Sequence, residues 1–226
     1  MFQYDPPEVP FLEFIFRDEH VAVMHKPHGL LSVPGKAAEH RDSLHYRLSR
    51  TLPTATVVHR LDMATSGIIV FALNKEAHRH ISKQFENREV KKTYNALVHG
   101  LVEDSHGAIE LPLRCDWPNR PKQMVDHKQG KHALTHYSLE DQKTTDKSEP
   151  YTLVELSPIT GRSHQLRVHL NAIGHPILGD RLYAHPQALN MASRLCLHAT
   201  YLSFTHPHTG RLVEFSCKLS LTQFLN

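Results

Sequence analysis

The stretch VVHRLDMATSGIIVFA, residues 57–72, constrains the fold more than any other part of the sequence. Two apolar, β-branched runs flank the polar segment HRLDMATSG. Such runs are typical of strands, so Val57–Val58 and residues 68–71 are predicted to be strands buried on both faces. An Asn-Gly turn alone would be enough to reverse the chain between two strands. The longer, charged insert must therefore be either a turn with additional polar residues or a functional site.

Length and composition set the broad class. The 226 residues suit one large domain or two small ones, and 40% apolar and 22% charged residues are ordinary for a globular protein. No apolar run approaches the ~18 residues of a membrane span, and the N-terminus has no signal-peptide pattern, so we expect a cytoplasmic protein without a membrane partner. Three widely spaced cysteines indicate reduced thiols. A net charge of +3 is compatible with nucleic acid but not diagnostic of it.

The 20 histidines raise the question of a metal site. His78 and His80 are two residues apart, and His164 and His169 are five apart, so neither pair shares a helix face. The sequence contains no H-E-x-x-H motif. We therefore expect surface or hydrogen-bonding histidines and no bound metal.

The pattern along the chain predicts an α+β fold. Residues 1–12, which contain three prolines, are expected to form an extended N-terminal arm, and residues 13–226 to form one domain. Strands outnumber helices and βαβ alternation is rare, which favours a mixed, mostly antiparallel central sheet. Strands are predicted near 11–16, 20–26, 57–58, 68–71, 91–100, 108–111, 133–139, 151–158, 198–204 and 212–215. Helices are predicted at 42–50, 75–88 and 163–173.

Asp62 is the first candidate for a chemical role. An aspartate in such a position can simply cap a turn through its side chain. Arg60, two residues earlier, points to the same side of an extended strand, and Gly67 permits close backbone approach. A partly buried carboxylate beside a guanidinium is held ionised. This pattern indicates a nucleophile or a general base.

The stretch TGRSHQLRVHL, residues 160–170, predicts a helix with two different faces. Its polar face carries His164, Arg167 and Asn171. Its apolar face carries Leu166, Leu170 and Ile173. Arg162 lies at the N-terminal approach, a place suited to anions. A solvated face would normally contain Lys or Glu, so functional use of Arg162 or Arg167 is favoured.

Tyr94 lies on an alternating strand directly after Lys91 and Lys92. One interpretation is a core aromatic residue with a hydrogen-bonded hydroxyl. The other is an aromatic surface that stacks on a nucleobase while the lysines bind phosphate.

Residues 114–131, RCDWPNRPKQMVDHKQGK, carry five cations against two acids around the only tryptophan, Trp117. Without strong periodicity, the stretch fits a loop laid along a phosphate backbone, although an ordinary charged surface is the alternative. Its cations are Arg114, Arg120, Lys122, Lys128 and Lys131.

Taken in order, these motifs resemble those of the RluA-type pseudouridine synthases. The resemblance runs from about Val21 to Phe215 and rests on HRLD-x-x-TSG, K-x-Y-x-A-L-V-x-G, GRSHQLRVH, GHPILGDRLY, RLCLHA and HPHTG. Two further stretches, GLLSVPGK and CDWPNRPKQ, resemble the small subtype that modifies both a large-subunit rRNA and a tRNA anticodon stem-loop. Many relatives carry an N-terminal S4 RNA-binding domain, and we expect none here.

The resemblance implies roles for the matching residues. Asp62 would be the essential aspartate that starts the isomerisation of uridine, and Tyr94 would stack on the target base and is a candidate to take the C5 proton. An arginine of GRSHQLR would pair with Asp62, with Arg167 the first choice and Arg162 the second. Arg60 would help to displace the target nucleotide. The fold would be a single domain with its site in a central cleft.

The implied chemistry breaks the N1–C1′ bond of uridine and joins C5 to C1′. Because no net redox change or hydrolysis occurs, we expect no metal and no nucleotide cofactor. The target nucleotide must leave the base stack. Asp62 could attack C1′, attack C6 or abstract a sugar proton, and the sequence leaves these open. RNA is the expected partner of a monomeric enzyme. The predicted RNA-binding residues are His59, Arg60, Lys91, Lys92, Arg114, Trp117, Arg120, Lys122 and His164.

Two other functions fit parts of the pattern. One is a non-catalytic RNA-binding module on the same fold, which would not need Asp62. The other is a metal-dependent nucleic-acid hydrolase that uses the histidines. The joint presence of Asp62, Tyr94 and Arg167 favours the isomerase.

Overall fold

The computed structural model describes residues 4–226 and contains two compact units. Unit 1 consists of the described residues up to Lys92 together with Ala199–Lys218. Unit 2 consists of Thr93–His198 and Leu219–Asn226.

Strands dominate the described part of the chain. The strands are β1 Phe14–Arg17, β2 Val21–Lys26, β3 Thr56–Val57, β4 Ser66–Ala72, β5 Lys91–His99, β6 His106–Glu110, β7 Leu113–Cys115, β8 Gln123–Val125, β9 Leu134–Thr144, β10 Pro150–Pro158, β11 Leu197–Thr205 and β12 Leu212–Ser216. The α-helices are α1 Leu44–Ser49, α2 Lys75–Glu86, α3 Gln165–Ala172 and α4 Pro186–Asn190. Short 3₁₀ helices lie at Ala38–His40, Trp117–Asn119 and Leu221–Phe224. The predicted α+β class is confirmed.

Unit 1 is built around β4, whose seven residues are all buried. On one side of β4 lies β2, followed by β1, and these strands pair antiparallel. On the other side of β4 lies β11, which also pairs with β12. Helix α2 begins after Asn74, whose side chain accepts a hydrogen bond from the Ala77 amide at 2.9 Å. Ala77 and Ile81, which are four residues apart and so share one face of this helix, pack into the core.

The strand before the polar insert differs from its prediction. It covers Thr56–Val57 instead of Val57–Val58, and it is not buried on both faces, because Thr56 is exposed and Val57 is half-buried. It pairs with β4 over only two residues, so little of its surface is covered by a neighbour.

Unit 2 contains the antiparallel order β5-β10-β9-β6 and a separate two-stranded sheet, β7-β8. The stretch 114–131 is therefore not the plain loop predicted from its lack of periodicity. It forms most of a short hairpin closed by a 3₁₀ turn, and strands of three residues are too short to produce a periodic pattern. Leu113 on this hairpin packs with Ala133 and with Val168 of α3.

Among residues 4–226, no helix is both long enough and apolar enough to cross a membrane.

Candidate active site

Asp62 lies half-buried in the loop between β3 and β4 of unit 1. Its backbone carbonyl accepts a hydrogen bond from the Thr65 amide at 3.1 Å, which closes the turn before β4. Gly67 follows with φ +121°, and a Cβ atom there would lie 2.2 Å from the carbonyl oxygen of Ala199. The predicted close backbone approach at Gly67 is confirmed.

A fully buried lysine helps to hold the loop that carries Asp62. Lys26, at the end of β2, is 0% exposed. Its ammonium group donates to the carbonyl oxygens of Pro27 at 2.9 Å, Leu30 at 2.7 Å and Met63 at 3.1 Å. These three hydrogen bonds offset part of the cost of burying the charge. The sequence prediction did not identify this residue.

The segment after Lys26 holds the Asp62 loop on both sides. The Ser32 hydroxyl donates to the Leu61 carbonyl at 2.7 Å and accepts from the Leu61 amide at 3.1 Å. On the other side, the Gly29 amide donates to the Met63 carbonyl at 2.9 Å, and the His28 ring contacts the Ala64 carbonyl at 2.6 Å. The backbone at both neighbours of Asp62 is therefore fixed, which restricts where the carboxylate can point.

His59 and Arg60 differ in their surroundings. Arg60 is exposed. The His59 ring is half-buried, stacks on Phe85 at 4.7 Å between centroids, and accepts a hydrogen bond from the Val70 amide through Nε2 at 3.1 Å. Burial, helped by the nearby Lys92 ammonium, lowers the pKa of His59 to about 3. The ring is therefore neutral at physiological pH and makes contacts within unit 1.

The two lysines before Tyr94 also differ. Lys91 is exposed, whereas Lys92 is half-buried, with its ammonium 5.8 Å from the Phe85 ring centroid. Burial lowers the pKa of Lys92 below its usual value. Tyr94 lies on β5 in unit 2, opposite Leu156 of β10, and is half-buried.

Arg167 is buried on α3 of unit 2 and is held by an aspartate that the sequence prediction missed. Its Nε and Nη2 atoms donate to the two carboxylate oxygens of Asp180, each at 2.7 Å. Both side chains are 5% exposed or less. A bidentate pair of this kind fixes both the position and the plane of the guanidinium. The Tyr183 ring lies against it, 5.1 Å from the guanidinium carbon.

Asp180 is itself fixed by its own turn. Its Oδ1 also accepts from the Leu182 amide at 2.9 Å and the Tyr183 amide at 3.3 Å. Gly179 before it has φ +70°, and a Cβ atom there would lie 2.0 Å from the Arg194 carbonyl oxygen. The signal available in the sequence was the GHPILGDRLY motif, in which an aspartate follows a glycine.

Two other residues near the start of α3, His164 and Arg162, make different contacts. The helix begins at Gln165, not at 163, because His164 adopts the left-handed conformation with φ 54°. The His164 ring contacts the Tyr183 hydroxyl through Nδ1 at 2.6 Å. Arg162 is exposed, and its Nε donates to the His132 carbonyl at 3.1 Å.

The predicted division of α3 into a packed face and an open polar face is wrong in part. Arg167, assigned to the open face, is buried. Ile173, assigned to the packed face, is 37% exposed. The ion pair with Asp180 supplies the partner that allows a charged residue to be buried, and periodicity alone does not reveal such a partner.

The β7-β8 hairpin presents an exposed tryptophan. Trp117 is 63% exposed, and the guanidinium carbon of Arg120 lies 4.8 Å from its ring centroid. Arg114 is paired with Asp126, so its charge is compensated locally. Backbone amides of Gln129 and Lys128, together with Arg114, lower the pKa of Asp126. Arg120 is exposed and Lys122 is half-buried.

The chain is similar to known proteins over nearly its whole length. A family model described as RNA pseudouridylate synthase matches residues 20–172, more than half of the chain. The dual-specificity RNA pseudouridine synthase RluA of Escherichia coli strain K12 is 52% identical over 215 residues, covering 95% of this chain and 96% of the relative. The protein of the same name from Haemophilus influenzae is 49% identical over 218 residues, with 96% and 98% covered.

Solved structures agree with these relatives. Human RNA Pseudouridylate Synthase Domain Containing 1 superposes with a TM-score of 0.78 at 30% identity, covering 95% of this chain and 86% of that chain. Human RNA Pseudouridylate Synthase Domain Containing 4 has a TM-score of 0.71 at 26% identity, with 92% and 88% covered. The resemblance found in the sequence motifs is confirmed: the chain belongs to the RNA pseudouridylate synthase family and is an isomerase that acts on RNA.

Proposed function

We propose that this enzyme converts specific uridines to pseudouridine in 23S rRNA and in a tRNA anticodon stem-loop. Two observations support the dual substrate range. Relatives about half identical over almost the full chain carry the dual-specificity name. The stretches GLLSVPGK and CDWPNRPKQ also match the small subtype. An enzyme with these substrates would work in the cytoplasm as a monomer without metal or cofactor.

The observation that carries the catalytic assignment is the way the Asp62 loop is held. Bonds to Leu61 and Met63 fix the backbone on both sides of this carboxylate. Catalytic groups depend on such positioning, because small misplacements lower the rate strongly. Asp62 would act on the everted uridine by one of the three routes that a carboxylate allows: attack at C1′, attack at C6 or abstraction of a sugar proton.

Arg167 is the proposed partner of Asp62, ahead of Arg162. Asp180 holds the Arg167 guanidinium in one orientation within unit 2. Arg162 is exposed and bonded to a backbone carbonyl, which makes it a weaker candidate. Tyr94 would stack on the target base. The proposal includes one catalytic domain over residues 13–226, preceded by an arm at residues 1–12.

RNA contacts are assigned to the exposed cations and aromatic groups. Arg60 would displace the target nucleotide, and Lys91 would bind phosphate. On the hairpin, Trp117 would stack on a base beside the cation of Arg120, with Lys122 close by in sequence. The remaining predicted contacts are His59, Lys92, Arg114 and His164. These four side chains contact other groups of the protein, so we propose that they hold the RNA-binding surface in place and do not bind RNA directly.

The test replaces Asp62 by Asn and measures pseudouridine in an rRNA fragment and in a tRNA anticodon stem-loop. The shape of the side chain is nearly kept, while the charge is lost, so we expect no pseudouridine in either RNA and RNA binding close to that of the unchanged enzyme. Asp146→Asn, at an exposed position on the β9–β10 hairpin, is the matched control and should leave turnover unchanged. Turnover by purified Asp62→Asn would reject the catalytic role.

The same assay separates the two alternative functions. A non-catalytic binding module would give no pseudouridine with any variant, including the unchanged chain. A metal-dependent hydrolase would cut the RNA and would stop in EDTA, whereas the proposed isomerase leaves the RNA intact and is not affected by EDTA.

A further inference from the structure

The part of the N-terminal arm that the structure describes is bound to the rest of unit 1 by specific hydrogen bonds. The Tyr4 hydroxyl donates to the Asp42 carbonyl at 2.8 Å and accepts from the Leu31 amide at 3.0 Å. Burial raises the pKa of this phenol, so it stays protonated and able to donate at physiological pH. The arm is thus tied directly to the segment that follows Lys26.

A buried arginine holds the middle of the arm. Arg47 of α1 is 2% exposed and makes a bidentate pair with Asp42, with N–O distances of 2.9 and 2.6 Å. Its guanidinium also donates to the carbonyls of Pro7 at 2.8 Å and Phe11 at 3.4 Å. Its guanidinium carbon lies 5.0 Å from the Phe11 ring centroid. A charged side chain buried in this way fixes residues 7–11 of the arm.

The segment that the arm covers is the one that holds the Asp62 loop. Leu31, bound to Tyr4, lies between Gly29 and Ser32 in the chain. Gly29 donates to the Met63 carbonyl, and the Ser32 hydroxyl bonds to Leu61 in both directions. Pro7 also packs on this segment, because a Cβ atom on Gly29 would lie 3.4 Å from the Pro7 Cδ. A continuous set of contacts therefore links the arm to both neighbours of Asp62.

We propose that residues 4–11 are a positioning element for the reaction, which sets the place of the Asp62 carboxylate through residues 29–32. The inference rests on the proposed role of Asp62. It assigns a function to a part of the chain that lies before the family match at residues 20–172. Tyr4 is the key positioning residue, because one hydroxyl joins the arm to Leu31 and to the backbone next to α1. None of these arm residues needs to touch RNA.

The sharpest test is Tyr4→Phe, which removes one oxygen atom and both of its hydrogen bonds. The matched control is Tyr201→Phe, which removes a hydroxyl bonded to Glu214 at the β11–β12 hairpin. Both variants are compared with the unchanged chain for RNA affinity, for the single-turnover rate of pseudouridine formation at saturating enzyme, and for thermal unfolding. Assays are run well below the lowest unfolding midpoint.

We expect Tyr4→Phe to lower the single-turnover rate about tenfold or more with RNA affinity within about twofold, because misplacement of a catalytic group lowers rate more than binding. Hydrogen–deuterium exchange should also become faster in the peptide covering residues 57–66, and not in strands β9 and β10. Tyr201→Phe should match the unchanged chain in every measurement.

Three outcomes would overturn the inference. One is an unchanged single-turnover rate in Tyr4→Phe. Another is a loss of rate without faster exchange at residues 57–66. The third is a loss of affinity that accounts for the whole effect, since that result would make the arm an RNA contact. Failure of the proposed function would look different, because the unchanged chain would then form no pseudouridine, or Asp62→Asn would keep its activity, whatever Tyr4→Phe does.

Discussion

Asp180 is the counter-charge of a buried cation, so its replacement by Asn should have a large effect. The Arg167 guanidinium would remain buried without a negative partner, and breaking a buried pair from one side costs about 3 kcal/mol of unfolding free energy. We expect urea unfolding at a much lower midpoint, together with a reduced rate of pseudouridine formation. Asp141→Asn is the control, because its pair with Lys143 is largely exposed and its loss should leave the midpoint almost unchanged. Equal midpoints for both variants would contradict this prediction.

His59 makes the stability of unit 1 depend on pH. The folded pKa of His59, about 3, lies below the ordinary value of 6.5, so the unfolded chain binds the proton first. The stabilisation is therefore complete above pH 6.5 and is lost as the pH falls toward 3. Between about pH 7 and pH 5 the loss is about 2 kcal/mol.

The measurement is urea unfolding of the unchanged chain and of His59→Gln at both pH values. Glutamine can accept a hydrogen bond from Val70 but does not titrate, so the variant should lose clearly less stability at the lower pH. The other histidines titrate in both proteins and cancel in the difference. Identical pH profiles would show that His59 is protonated in the folded state at the lower pH.

Single residues also show which parts of the candidate site could not be predicted from the sequence. Asp62 was singled out because the charged insert between two apolar strands is longer than a simple turn requires, and its catalytic role stays a prediction. Lys26 and Asp180 were not singled out, although both lie in or beside recognisable motifs. Their importance comes from what they contact across the chain, at separations of 37 and 13 residues. Periodicity reports local burial and carries no information on such partners.

At the scale of elements, the close packing of β4 on β11 depends on Gly67. Alanine there would place its Cβ 2.2 Å from the Ala199 carbonyl oxygen, and the clash is with backbone, which cannot rotate away. We expect Gly67→Ala to lose about 3 kcal/mol or more of stability, or to fail to fold. Gly210→Ala is the control: φ is +66° but no atom lies within 4 Å of the added methyl. That variant should lose only about 1 kcal/mol, measured by urea unfolding.

Elements with strong local signals were predicted well. Helix α2 starts at Lys75, as predicted, and α1 starts after Ser43, whose hydroxyl accepts from the Tyr46 amide at 3.2 Å. Helix α3 was predicted to start two residues early, because a left-handed conformation at a residue other than glycine, here His164, is uncommon. The β7-β8 hairpin was missed because strands of three residues leave no period to detect.

At the scale of the whole molecule, the proposed RNA contacts are electrostatic. Affinity for a tRNA anticodon stem-loop should fall as salt rises, by roughly hundredfold between about 50 and 200 mM if about four phosphates are contacted. Lys122→Glu should weaken binding and make the log–log dependence on salt shallower by about 1 or more. Lys147→Glu, at an exposed site on the β9–β10 hairpin, is the charge-matched control. An affinity that does not change with salt would remove the basis for these contacts.

Composition predicts properties of the whole chain, such as net charge, and these properties say less about function than the sequence motifs do. The net charge of +3 was compatible with nucleic acid but not diagnostic of it. Buried cations also contribute to that total, since Lys26, Arg47 and Arg167 are each 4% exposed or less. The family and its chemistry came from the order and spacing of motifs, which overall charge does not encode.

The bonds of residues 28–32 to the Asp62 loop have a consequence for how the enzyme loses its activity. The backbone around Asp62 is bonded into unit 1 and is not a separate flap. Loss of activity on heating should therefore follow the release of residues 28–32 from this loop. Damage elsewhere that leaves residues 28–32 in place should spare the position of Asp62 as well.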